Sequence, residues 1–257
     1  ISLYPEYSDS YHNYGNLLYI QKNLDEAERI VGKAITLKPE FSVSHYLLAQ
    51  ILIEKKKFID AKDSLQKVIL LNEKFIPAYL KLSEVLILLK DNKEAKKILL
   101  KSIKISPNSA ESYVNLGALL MDSNEFKEAE EVTQKAIRID PNLSVAYNNL
   151  GSIYRENGKL NESESFVRKA IKINPKYSKA LSLLGTILLE KNEPEEAKKS
   201  WLKALEYNPK LNNVIFKLGK RYYHEQNYTE AIKYFKKDNN ENSKVLHLGC
   251  LLSLDRK

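Results

Sequence analysis

Prolines recur along this chain at a fixed interval. Six of the eight stand at Pro5, Pro39, Pro107, Pro141, Pro175 and Pro209, every gap being 34 residues or twice that, with Glu73 in the one vacant place. Gly117, Gly151, Gly185 and Gly219 keep the same interval, and Gly15 lies three intervals before Gly117. A period of this length means stacked copies of one supersecondary unit, none of which can bury its apolar face alone.

Numbering each repeat from Ser8, Ser42, Ile76, Ala110, Ser144, Ser178 and Asn212 places seven copies at 8–41, 42–75, 76–109, 110–143, 144–177, 178–211 and 212–241. Apolar residues at positions 4, 7 and 11, and again at 24 and 27, have helical spacing, which predicts two amphipathic helices, A and B, per repeat. Position 20 is Ala in six copies and Ser163 in the other, and position 8 is Gly in five. Small residues there let two helix axes approach closely. Gly151 is therefore expected to admit Ala but no larger side chain. Position 19 is acidic in all seven copies, from Glu26 to Glu230, and a carboxylate in the first turn of helix B favours the positive end of its dipole. The closing Pro stops helix B because it lacks an N–H and restricts its predecessor.

These columns resemble the tetratricopeptide repeat (TPR) family, most clearly in Tyr147, Leu150, Gly151 and Tyr154, continuing to Ala170 and Pro175. The resemblance implies an all-α fold, a right-handed α-solenoid of stacked antiparallel helix pairs. Residues 1–7 then read as the tail of a preceding repeat, with Leu3, Pro5 and Tyr7 at its last apolar positions. A polar break at Asp238–Asn242 shortens the period, and 242–257 reads as the first helix of a truncated eighth repeat. Neither end is a polar cap, so the chain reads as a segment of a longer protein whose open ends could pair copies together.

Composition narrows the function. No apolar run approaches the roughly 18 residues of a membrane span. Together with the lack of a basic-then-apolar leader, this points to the cytoplasm. One cysteine, Cys250, excludes an internal disulfide, and four scattered histidines form no metal spacing. No nucleophile elbow, zinc-binding His pair or phosphate-cradling loop occurs, so no catalytic role, metal or cofactor is assigned to this segment. The net charge of +8 could suit a polyanion, but many of its lysines lie on B helices, interleaved with acids. The TPR resemblance puts B helices on the solvated outer wall, which disfavours nucleic acid as the partner.

The same resemblance implies that a protein or peptide binds the concave wall, lined by helix-A positions 2, 5, 6, 9, 12 and 13. There the second and third repeats offer Val43, Tyr46, Leu47, Ile53, Leu80, Ile87 and Leu88, an apolar stretch of the kind that marks an interaction site. The fourth and fifth offer Asn115, Asn148, Asn149 and Arg155; the seventh offers a secondary basic site of Phe216, Lys217, Lys220, Tyr223 and His224. Asn13, Asn115 and Asn149 share one column, similar to the asparagine ladder in the TPR region of O-GlcNAc transferase, although Leu47, Lys81, Leu183 and Lys217 interrupt it. Two roles follow as expectations. One is a protein-interaction scaffold. The other is a substrate-presenting region of a larger enzyme, for example a glycosyltransferase whose catalytic domain lies beyond residue 257.

Overall fold

A computed structural model describes residues 7–238 and 240–254. Leu3, Pro5, Asn239 and Lys257 lie outside the described residues. Seven A helices begin at the repeat starts: α1 (Ser8–Ile20), α3 (Ser42–Glu54), α5 (Ile76–Leu88), α7 (Ala110–Asp122), α9 (Ser144–Glu156), α11 (Ser178–Glu190) and α13 (Asn212–His224). The B helices are α2 (Leu24–Leu37), α4 (Phe58–Leu71), α6 (Asn92–Ile105), α8 (Phe126–Ile139), α10 (Leu160–Ile173), α12 (Pro194–Tyr207) and the shorter α14 (Tyr228–Phe235). A last helix, α15 (Glu241–Leu254), follows the polar break. No strand occurs among the described residues. The chain divides between Glu125 and Phe126 into two compact halves.

One turn geometry joins helix A to helix B throughout. Its middle residue, position 15, is left-handed in every repeat: Lys22, Lys56, Lys90, Asn124, Asn192 and Gln226 have φ between 57° and 64°, and Gly158 has 72°. The next N–H reaches back to a carbonyl five residues earlier, as from Asn23 to Leu18 (3.0 Å) and Lys57 to Leu52 (2.9 Å). This back-bond satisfies carbonyls that the helix end leaves open. So short a turn forces the two helices of a repeat to lie antiparallel.

The small residues at position 8 and the bulky ones at position 24 meet in the core. A Cβ on Gly185 would collide with the Trp201 indole and lie 2.9 Å from the Ala197 carbonyl oxygen. Trp201 is 1% exposed and donates its Nε1–H to the Ser182 carbonyl at 3.1 Å. Gly151 differs from expectation. Its added Cβ would overlap Val167 Cγ2, and a β-branched neighbour cannot swing aside cheaply, so even Ala is crowded there. Ser163, the exception at position 20, is buried and donates to the Gly151 carbonyl at 2.6 Å, which removes any penalty for its hydroxyl.

At the chain's far end α15 buries Ser243 and Cys250 while Val245, Leu248 and Leu252 stay more than half exposed. Only one side of α15 is covered, by a small core built on Ala231 and Phe235.

Candidate partner-binding site

In the N-terminal half the expected apolar wall is only partly present. Val43 and Leu88 are exposed, and Tyr46, Ile53, Leu80 and Ile87 are half-buried. Tyr46 sets its ring edge-on to Phe75 at 5.0 Å, and burial raises the pKa of its phenol above the ordinary value. Leu47 does not belong to the wall. It is 4% exposed and packs with Leu18, Ile30 and Ile51, because an apolar side chain at this border turns toward the neighbouring helices instead of water. Asn115, on α7, is half-buried.

The C-terminal half holds a cavity of about 350 Å³ between three A helices. Asn148, Ser152 and Arg155 come from α9, Lys179, Ser182, Leu183 and Thr186 from α11, and Asn213 and Lys217 from α13. All of them occupy wall positions 2, 5, 6, 9 or 12, so the columns that the TPR resemblance puts on the wall line one open concavity here. Sequence reasoning named Asn148, Arg155 and Lys217, but not the Lys179, Ser152, Thr186 and Asn213 that complete it. The same columns could have found them.

The charges inside are unequally satisfied. Arg155 donates through Nε and Nη2 to Glu190 at 2.9 and 2.6 Å and through Nη1 to Glu156 at 2.7 Å, and the Glu190 hydrogen bonds raise its pKa. It is neutralised. Lys217 instead donates to the Thr186 hydroxyl at 2.7 Å, and burial lowers its ammonium pKa, reinforced by the Arg155 charge and opposed by Glu190. Lys179 is exposed at the rim, and neither it nor Lys217 forms a salt bridge among the described residues. Asn148 Oδ1 is buried without a hydrogen-bond donor, a state that ordinarily costs about 1–3 kcal/mol. The cavity therefore presents two cations without a salt bridge among the described residues beside an orphaned acceptor.

Two expected members are elsewhere. Asn149 is 7% exposed, buried within α9 rather than open on the wall. The secondary basic site is divided: Lys217 joins the cavity, while Phe216 and Tyr223 pack toward Phe235 and Cys250. Lys220 sits over the Phe216 ring at 6.0 Å, and His224 is exposed beside Tyr223.

Family models of the tetratricopeptide repeat match residues 8–41, 43–75, 76–109, 110–143, 144–177 and 166–199, most of the chain. The chain belongs to the tetratricopeptide repeat family. Its fold is an all-α solenoid, similar to a TPR protein from Parabacteroides merdae ATCC 43184 at a TM-score of 0.76 and 17% identity, covering 95% of this chain and 98% of that one. It is likewise similar to the Cut9–Hcn1 hetero-tetramer of APC/C (TM-score 0.77, 17% identity, 98% of this chain and 49% of that one). YrrB, described as a TPR protein with an unusual peptide-binding site, matches at TM-score 0.54 and 24% identity over 68% of this chain and 91% of its own. No curated protein sequence matches the chain. TPR chains are protein-interaction modules, and no helix among the described residues is long and apolar enough to cross a membrane.

Proposed function

We propose that this TPR chain is an interaction scaffold whose C-terminal half takes an extended partner segment into the cavity between α9, α11 and α13. The observation that carries the reading is the orphaned Asn148 Oδ1 beside Lys179 and Lys217. A backbone N–H of the segment would satisfy Asn148, and an acidic side chain would sit between the two ammonium groups. The first contact would pair a buried acceptor that lacks a donor, and the second would give a carboxylate to two ammonium groups, one half-buried and one exposed. The apolar side chains of the N-terminal half, Val43, Tyr46, Leu80, Ile87 and Leu88, would hold an apolar anchor of the partner.

Calorimetric titration with two extended peptides, identical but for Asp/Glu against Asn/Gln, tests the cavity. The acidic peptide should bind at least about tenfold more tightly, and the Lys179→Glu/Lys217→Glu variant should lose that preference. Equal affinities of the wild-type protein for both peptides would refute it.

A further inference from the structure

Repetition gives this chain its own internal controls. Four positions border each groove between successive B helices: two on the first helix, four residues apart, and two on the second, likewise spaced. In register they read Gly32, Thr36, Asp63 and Lys67 at one groove and Leu202, Glu206, Lys233 and Lys237 at another; outside the α10–α12 groove no set carries more than two cations. Between α10 and α12 the same four positions are Arg168, Lys172, Lys199 and Lys203. Stacking of the helices does not require this, since the other grooves do without it.

The α10–α12 groove is also a real concavity. It encloses about 410 Å³, with Ile171, Leu181 and Leu184 at its floor and Ser200 at its side. Its charges divide evenly. Arg168 is held by Glu164 at 2.6 Å and Lys199 by Glu196 at 2.7 Å. Lys172 and Lys203 stand exposed on opposite walls with no carboxylate partner among the described residues. The Ser200 hydroxyl is engaged by the Glu196 carbonyl at 2.9 Å. What remains is an apolar floor with one unpaired cation on each side.

We propose that the groove between α10 and α12 is a second docking site, which takes an acidic peptide segment of a partner with one aliphatic side chain flanked by carboxylates. The aliphatic group covers Ile171, Leu181 and Leu184, and the carboxylates meet Lys172 and Lys203. Charge complementarity selects an anion, and the apolar floor selects a peptide over a nucleic acid. A phosphate backbone would leave that floor unused, and no aromatic side chain lines the groove to stack a base. The site lies on the B-helix layer and is independent of the cavity between the A helices.

The test uses the full chain carrying Lys179→Glu/Lys217→Glu, so that the cavity between the A helices no longer attracts an acid, and a short fluorescein-labelled peptide with one Leu between Asp and Glu residues, followed by fluorescence anisotropy. Saturable binding should weaken about tenfold or more when Lys172→Glu/Lys203→Glu is added. It should weaken severalfold when the peptide Leu becomes Ser. Circular dichroism melts with and without Lys172→Glu/Lys203→Glu should match, since both of these lysines are exposed. The proposal falls if adding Lys172→Glu/Lys203→Glu leaves binding unchanged, or if the wild-type chain binds the probe and the Lys179→Glu/Lys217→Glu chain does not, which would put the probe in the other cavity. It falls equally if the Leu→Ser peptide binds as tightly as its parent, or if single-stranded DNA of equal charge displaces the peptide completely.

Discussion

Lys81 and Lys217 occupy the same position of helix A, one in each half, and meet opposite surroundings. Lys81 closes an ion pair with Glu84 at 2.6 Å on its own helix, whereas Lys217 reaches the Thr186 hydroxyl on the preceding A helix and forms no salt bridge among the described residues. Around Lys81 the wall is Tyr46, Leu80 and Ile87; around Lys217 it is Asn148, Lys179 and Asn213. The backbone template is the same in both. What differs is the side chains that fill it, so the fold supplies positions and the local sequence decides what they recognise.

The cores diverge as well, and the largest expected effect breaks the comparison there. Position 24 is Leu65 in the N-terminal half and Trp201 in the C-terminal half, both essentially unexposed. Trp201→Ala should destabilise by about 3–5 kcal/mol, because it leaves a cavity and removes one of the hydrogen bonds to the Ser182 carbonyl. Leu65→Ala loses a smaller side chain and no hydrogen bond, and should cost less. Urea unfolding of the two variants measures the gap; a larger loss for Leu65→Ala would show that the halves are held together differently from this description.

Lys217→Met comes next. Acidic peptide binding should weaken by about 1.5–3 kcal/mol, the range for a hydrogen bond to a charged group, while Lys81→Met leaves it unchanged. Titration calorimetry on both variants checks the contrast. A linked pH effect sharpens it. Because burial holds the folded Lys217 pKa below its ordinary 10.5, the ammonium form opposes folding at neutral pH, and that opposition fades as pH rises through the lowered folded pKa toward 10.5. Wild type should therefore gain stability relative to Lys217→Met across that window. A bound carboxylate should move the Lys217 pKa upward. NMR titration of the Lys217 side chain, free and peptide-bound, reads both directions.

Two glycines give the smaller effects. Gly185→Ala should destabilise by about 1–3 kcal/mol through overpacking against Trp201 and the Ala197 carbonyl. Gly32, in α2 of the N-terminal half, has nothing within 4 Å of an added Cβ, so Gly32→Ala should stabilise by about 0.5–1 kcal/mol through helix propensity alone. Thermal melts should shift in opposite directions.

Much of this was legible in the sequence. The interval between prolines located the helices because each repeat must stop and restart its chain at the same place. The wall was harder. One column holds Leu47 and Asn149, which are buried, and Lys81 and Lys217, which are only half-buried. A column lies on a border, and a long cationic side chain reaches out from it where a short or apolar one turns in. Nor could spacing pair Arg155 with Glu190 or reveal the unsatisfied oxygen of Asn148. Those depend on how side chains from successive repeats finally meet.

The left-handed turn residue has a consequence for what the chain can tolerate. Six of the seven such positions carry a side chain other than glycine although an αL residue is disfavoured for L-amino acids, so the backbone hydrogen bonds of the turn must hold the conformation without help from residue identity. Lys56 and Lys90 are exposed, with no salt bridge or side-chain hydrogen bond at their ammonium groups among the described residues. Such sites are free to drift over generations and open to the chemist. A cysteine or an unnatural amino acid placed at 56 and at 90 would carry a reporter at a fixed 34-residue spacing, on a conformation that does not depend on what is attached.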